Sequence, residues 1–272
     1  MMPYNIQEIK EFAKSIRRTA IQMAYKTNTS HTGGTLSQAD ILAVLYSGVL
    51  NCSPDMIDDP RRDRFIESKG HNCASYYAAL ALRGFMNYDE LMENYCKDGS
   101  QYFEHVSHKL PGVELSTGSL GHGFPVAAGM ALGSKRSNTP FDVYCIIGDG
   151  EINEGSNWEA LMFAAHHKLD NLCVILDKNQ MQAMGDTKDI LCLDPMADKI
   201  RAFQWNVCDI DGHDIQQIVD AFDSFKHCEG KPTFIIANTI KGKGVSYMEH
   251  NLKFHYSAPN EDEYKQAMEE LI

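Results

Sequence analysis

Apolar positions recur along this chain in two periods. Ile6, Ile9, Phe12, Ile16, Ala20 and Met23 fall on one face at helical spacing and predict an amphipathic helix, with Arg17 and Arg18 near that face as solvated charges. Ser37 predicts the cap of a second helix, with Asp40 three residues on and Ile41, Leu42, Val44, Leu45 and Leu50 on the buried side. Further helices are predicted over 74–82, 88–96, 124–135 and 157–169, from Asp194 and Pro195 to Phe203, over 214–227, and from Asn260 to Ile272. The short apolar runs 142–147, 172–176, 205–210 and 233–236 read as strands. This alternation predicts one domain over residues 1–272, a three-layer α/β/α fold around a mostly parallel sheet. No linker, internal repeat or low-complexity segment interrupts it.

The strand over 142–147, the helix over 157–169 and the strand over 172–176 form a βαβ unit. A right-handed crossover sets its two strands side by side, about 5 Å apart, with their carboxyl ends adjacent. Asp149 follows the first strand and Asn179 the second. Ligands bind outside such strand ends, and a hard cation takes carboxylate, amide, carbonyl and phosphate oxygens. Asp149, Asn179 and the main-chain carbonyl of Met181 supply such a set; the plainer alternative is that GDG at 148–150 is a tight turn and that Asp149 and Asn179 cap the segments after them.

The wider pattern is more specific. GDG is followed by Glu154, Gly155, Glu159, the segment HKLDNL and Asn179, thirty residues after Asp149. This resembles the thiamine diphosphate signature of the transketolase family. RRDRFIESKGHN at 61–72, STGSLGHG at 116–123 and KGKGVS at 241–246 extend the resemblance over essentially the whole chain. It implies a thiamine diphosphate-binding fold in which Asp149, Asn179 and Met181 hold Mg²⁺, with Ca²⁺ or Mn²⁺ as substitutes. Gly150 is expected, by the same resemblance, to bind the cofactor with them. It implies further that main-chain atoms of Gly118 and Leu120 meet the aminopyrimidine end. By the same resemblance His31, His71, His105 and His255 are expected to face substrate, His71 and His255 also reaching the cofactor. Imidazole suits proton transfer because its unperturbed pKa is about 6.5. Glu154 and Glu159 match acidic residues of a proton network at the family's subunit interface; their simpler role is charge at a helix N-terminus.

Some positions depart from that pattern. Glu104, His105 and Val106 stand where the family has Gly, His and Pro, which leaves His108 as an alternative to His105. Zinc at these two histidines lacks a third ligand of suitable spacing. Phe254 and Tyr256 flank His255 in place of Trp and Gly. His122 stands where many relatives have Gln and reads as a packing residue, and His213 as a loop or capping residue. Lys241 and Lys243 read either as a loop over phosphate or as solvated lysines.

The resemblance implies the N-terminal, diphosphate-side subunit of a split transketolase. A second, C-terminal subunit would supply the remaining half, two copies of each chain would assemble, and a two-carbon ketol unit would pass between sugars or sugar phosphates. A subunit of another thiamine-dependent enzyme, a synthase or 2-oxoacid dehydrogenase, and a cofactor-free regulatory relative are the alternatives. Composition narrows the rest. A formal charge of −12, with no basic run beyond pairs such as Arg61–Arg62, argues against nucleic acid as partner. No run of eighteen apolar residues or signal-peptide core is present, so no membrane partner and a cytoplasmic location are expected. The eight cysteines contain no CxxC pair and are expected to be reduced core residues.

Overall fold

The computed structural model describes residues 4–272. Among the described residues seven strands form in chain order: β1 (Arg64–Glu67), β2 (Val143–Gly148), β3 (Leu172–Lys178), β4 (Met181–Gln182), β5 (Gly185–Asp186), β6 (Asn206–Asp211) and β7 (Thr233–Asn238). Five of them make one all-parallel sheet in the order β1-β2-β3-β7-β6, and β4 and β5 make a two-residue antiparallel hairpin above it. The sheet's alternation divides the core. Tyr144, Ile146, Cys173, Ile175 and Ile235 point to one face, packed by the helices Ile6–Thr27, Ala39–Val44, Cys73–Leu82 and Ile215–Lys226. Cys145, Ile147, Val174, Leu176 and Ile236 point to the other, under Gly123–Lys135, Gly155–His166 and Met196–Ala202. This is the expected three-layer arrangement. A smaller cluster of Ile21, Leu36, Val245, Met248, Phe254 and Leu271 fastens the C-terminal helix Glu261–Glu270 to the first helix.

Several local expectations are corrected. The segment 61–72, read as a motif leading into a helix, contains β1, which pairs with β2 from Arg64↔Val143 to Glu67↔Ile146. Four residues were too few to show a period among charged neighbours. Ser37 caps nothing: the helix starts earlier, at Thr32–Ser37, and Ser37 is wholly buried, its hydroxyl 2.6 Å from Asp177 Oδ2. Asp40 is not part of a capping box but accepts from Arg17, which is 6% exposed rather than solvated. A buried arginine requires this carboxylate partner. Only Cys73, Cys145 and Cys173 are buried; Cys192 is exposed, the other four are half-buried, and all eight are free. No helix of the described residues is long and apolar enough to cross a membrane.

Candidate active site

The carboxyl ends of β2 and β3 open into a cavity of about 360 Å³. His31, His71, His105, His255, Gly118, Leu120, Asp149, Gly150, Asn179 and Met181 all line it, although they come from seven separate stretches of sequence. Parallel pairing explains the central group. Gly148 lies opposite Asp177, so Asp149 leaves the sheet beside the turn that carries Asn179. Asp149 Oδ2 accepts from the Gln180 N–H at 2.6 Å, and Asn179 Oδ1 accepts from the Met181 N–H at 3.2 Å. Both side chains are about 5% exposed or less. Burial and the neighbouring Asp177 push the Asp149 carboxyl up to about 7, the behaviour of an acid placed where a cation is wanted.

These residues fit a hard divalent ion. Among the described residues no group of three or more His, Cys, Asp and Glu side chains converges for a metal. Asp149 Oδ1, the Asn179 amide oxygen and the Met181 carbonyl are oxygen donors of the kind such an ion takes together with phosphate oxygens. Beneath it lies a buried pair: Lys69, 2% exposed, donates to the fully buried Asp177, which also accepts from Ser37 and Thr239. Burial opposes the charge on Asp177, but Lys69 and these donors outweigh it and hold the carboxyl below its ordinary value. Lys241 is buried at 3% exposure, not solvated; its Nζ lies 3.0 Å from His255 Nδ1, and burial together with Lys69 lowers its pKa to about 8. Lys243 is half-buried, 3.9 Å from Glu249. The cavity thus carries two buried ammonium groups suited to a diphosphate.

The four histidines form one cluster. The His31 ring centroid lies 4.9 Å from His71, 5.0 Å from His255 and 6.4 Å from His105. Burial and the neighbouring positive groups push His71 well down, His105 down and His255 to about 4, so these three are neutral at pH 7. His31 takes a left-handed backbone, φ 62°, at the entry to its helix, and its N–H donates to the His255 carbonyl at 3.1 Å. Close backbone approach requires glycine at two points. A Cβ at Gly70 would fall 2.4 Å from the Thr117 carbonyl, and one at Gly118 2.9 Å from His105 Cδ2.

Other candidates lie outside. His108 is exposed and bonds to Ser116 at 2.7 Å, which leaves His105 as the loop's contribution. His122 is exposed rather than packed, its Nδ1 3.1 Å from the Leu120 carbonyl. Glu154 and Glu159 are exposed on the helix Gly155–His166, away from the cavity; Glu154 is its N-cap but makes no side-chain capping bond. His213 is neither loop filler nor cap: Nδ1 donates to Asp40 at 2.7 Å and Nε2 accepts from the Ile240 N–H at 2.9 Å, next to Lys241. Sequence reasoning missed Lys69, Asp177 and Glu151 as parts of the site. The signal for Asp177 was there, as a lone acid at the end of a buried apolar strand.

The family model for transketolase, thiamine diphosphate binding domain, matches residues 9–271. The chain belongs to the transketolase family, whose members bind thiamine diphosphate through this domain. It is 46% identical to one subunit of the apulose-4-phosphate transketolase of Actinobacillus succinogenes, over all of this chain and 99% of that one. It is 41% identical to a 6-deoxy-6-sulfo-D-fructose transketolase subunit of a Clostridium species, covering 97% of this chain and 96% of the relative. Human transketolase is 34% identical over 98% of this chain, but the match spans only 42% of the human protein. The crystal structure of Campylobacter jejuni transketolase superposes with a TM-score of 0.92 at 33% identity, covering 98% of this chain and 43% of that one. The chain is therefore similar in extent to the subunits and spans about two fifths of the longer enzymes.

Proposed function

We propose that this chain is the diphosphate-side subunit of a two-chain transketolase that moves a two-carbon ketol unit from a ketose to an aldose, both as sugar phosphates. The observation that carries the reading is the convergence of ten residues from distant loops on one cavity at the ends of β2 and β3. Bound thiamine diphosphate supplies the carbanion chemistry that breaks and remakes the carbon–carbon bond. Asp149, Asn179 and the Met181 carbonyl would hold Mg²⁺, with Ca²⁺ or Mn²⁺ able to replace it, and Lys69 and Lys241 supply positive charge near the diphosphate. Gly118 and Leu120 offer main chain to the aminopyrimidine end. His31, His71, His105 and His255 hydrogen-bond sugar hydroxyls and move protons at their ring nitrogens, a role for which His71, His105 and His255 are kept neutral by their surroundings.

A C-terminal-type transketolase subunit is the partner proposed to complete the cavity, two of each chain making symmetric active sites between unlike subunits. Glu154 and Glu159, exposed on one helix, are proposed to face that assembly and to carry protons between its sites. The cytoplasm, where eight free thiols stay reduced, is the proposed compartment. The test is to purify the tagged chain gently from its source cells and assay ketol transfer between sugar phosphates. A second chain that co-purifies, together with transfer activity requiring both, is the expected result; a chain that stays alone and inactive with every ketose offered would sink the proposal.

A further inference from the structure

The loop residue that departs from the family's Gly-His-Pro pattern has a definite partner. Glu104 Oε1 accepts from the Ser30 N–H at 2.7 Å and from the Ser30 hydroxyl at 2.6 Å. The same Ser30 Oγ lies 2.7 Å from His31 Nδ1, and Nδ1 lies 3.4 Å from Glu104 Oε1. A count of hydrogens settles the direction of each bond. A carboxylate only accepts, so the single hydroxyl hydrogen of Ser30 is used on Glu104. Were it turned to His31 instead, a Ser30 lone pair would face the carboxylate at hydrogen-bond distance with no proton between them. Ser30 Oγ can therefore only accept from His31, and Nδ1 must carry the hydrogen.

We propose that Glu104 is a positioning residue which, through Ser30, locks His31 in the Nδ1–H form and leaves the Nε2 lone pair for a substrate hydroxyl. The inference rests on the transketolase reading for the identity of that hydroxyl, not for the lock itself. The step it serves is a proton transfer: the sugar O–H breaks, its electron pair stays on oxygen, and an N–H bond forms at His31 Nε2. The resulting imidazolium keeps its Nδ1–H bond to Ser30 and has the Glu104 charge behind it, the arrangement by which a carboxylate orients a catalytic imidazole and stabilises its charged form.

The neighbours fit this division of work. Around His31 stand His71, His105 and His255, with Lys241 behind His255, and none of these brings a negative charge. Lys241 Nζ offers only hydrogens, so His255 must accept at Nδ1 and carry its own hydrogen on Nε2. Two adjacent imidazoles thus present opposite polarity, His31 as acceptor and His255 as donor. Hydrogen bonding with His31, opposed by partial burial and reinforced by Ser30, holds the Glu104 carboxyl down at about 2, so the lock is charged throughout the physiological range. Glycine, which the family has at this position, could not make it.

Nitrogen-15 NMR of the full chain reads the tautomer directly, with the His31 resonances assigned by their loss in His31→Gln. The wild type is expected to show His31 as the Nδ1–H form. In Glu104→Ala the freed Ser30 hydroxyl turns to donate to Nδ1, and His31 shifts to the Nε2–H form; Glu104→Asp restores the wild-type form in part. In the assembled enzyme Glu104→Ala should lower kcat/KM by about tenfold or more while thiamine diphosphate affinity is unchanged. An Nε2–H form in the wild type, or a tautomer indifferent to Glu104→Ala, overturns the proposal. Because the spectra need neither cofactor nor partner, their outcome is separate from that of the assay for ketol transfer.

Discussion

Replacing Asp40 by Asn tests how the scaffold holds the site. Asp40 is buried between Arg17, whose Nη1 donates to Oδ1 at 3.1 Å, and His213, whose Nδ1 donates to Oδ2 at 2.7 Å. Burial alone would raise its pKa, but the Arg17 charge and the bonds from His213 and Arg17 outweigh it and bring it from 3.8 down to about 2. A carboxyl whose pKa is depressed by folding contributes stability that is present above the unfolded value and lost as pH falls through the folded one. The depression of nearly two units corresponds to about 2 kcal/mol, of which about 1 kcal/mol is gone by pH 3. At pH 7 the substitution also leaves Arg17 buried without its counter-charge, for a total cost of about 3 kcal/mol. Urea unfolding of both proteins at a series of pH values from 7 to 3 measures the difference, and titrating groups remote from Arg17, Asp40 and His213 cancel in it. The gap is expected to narrow by about 1 kcal/mol towards pH 3; a gap that stays constant, or widens, refutes the assignment of this carboxylate as the charged centre of the triad.

Other expectations rest on the same geometry. Lys69→Met strands the buried Asp177 and should cost about 3 kcal/mol by urea unfolding at pH 7, with an unchanged midpoint counting against the pair's role. His213→Asn keeps the donor to Asp40 but loses the acceptor for Ile240, so thiamine diphosphate affinity in the assembled enzyme should fall with little change in stability; His213→Gln, which still reaches Ile240, should recover part of it. Gly118→Ala forces a Cβ to 2.9 Å from His105 Cδ2. It should raise KM for the ketose in steady-state kinetics while thermal stability shifts by no more than about 1 kcal/mol.

The sequence disclosed the frame of this molecule more fully than its interior polar network, and the physical reason differs by element. Long helices such as Ile6–Thr27 bury one face against the sheet and expose the other, so their period survives in the sequence. β2 and β3 are buried on both sides and appear as apolar runs. β1 is buried too, but its four residues sit between Arg61, Arg62 and Lys69, and the charges masked it. The cavity's lining was legible in two ways: the βαβ unit itself pointed to Asp149, Asn179 and Met181, and the histidines, Gly118 and Leu120 followed from the resemblance of their motifs to the transketolase family. The layer beneath was not: Arg17 with Asp40, Lys69 with Asp177 and Glu104 with Ser30 are pairs separated by 23, 108 and 74 residues. A charge buried by a distant partner looks, in sequence, like one dissolved in water. His213 was missed for the same reason, since both of its partners come from other elements.

The central claim is that this chain's Asp149, Asn179 and Met181 anchor a metal-bound diphosphate inside a two-chain enzyme. Calorimetric titration of thiamine diphosphate with Mg²⁺ into the purified complex, alongside the complex carrying Asp149→Ala, tests it most directly. The account predicts saturable, Mg²⁺-dependent uptake of one cofactor for each copy of this chain, abolished by the substitution while the two chains stay together. Undiminished uptake by the Asp149→Ala complex, or no uptake by the wild type, would contradict it.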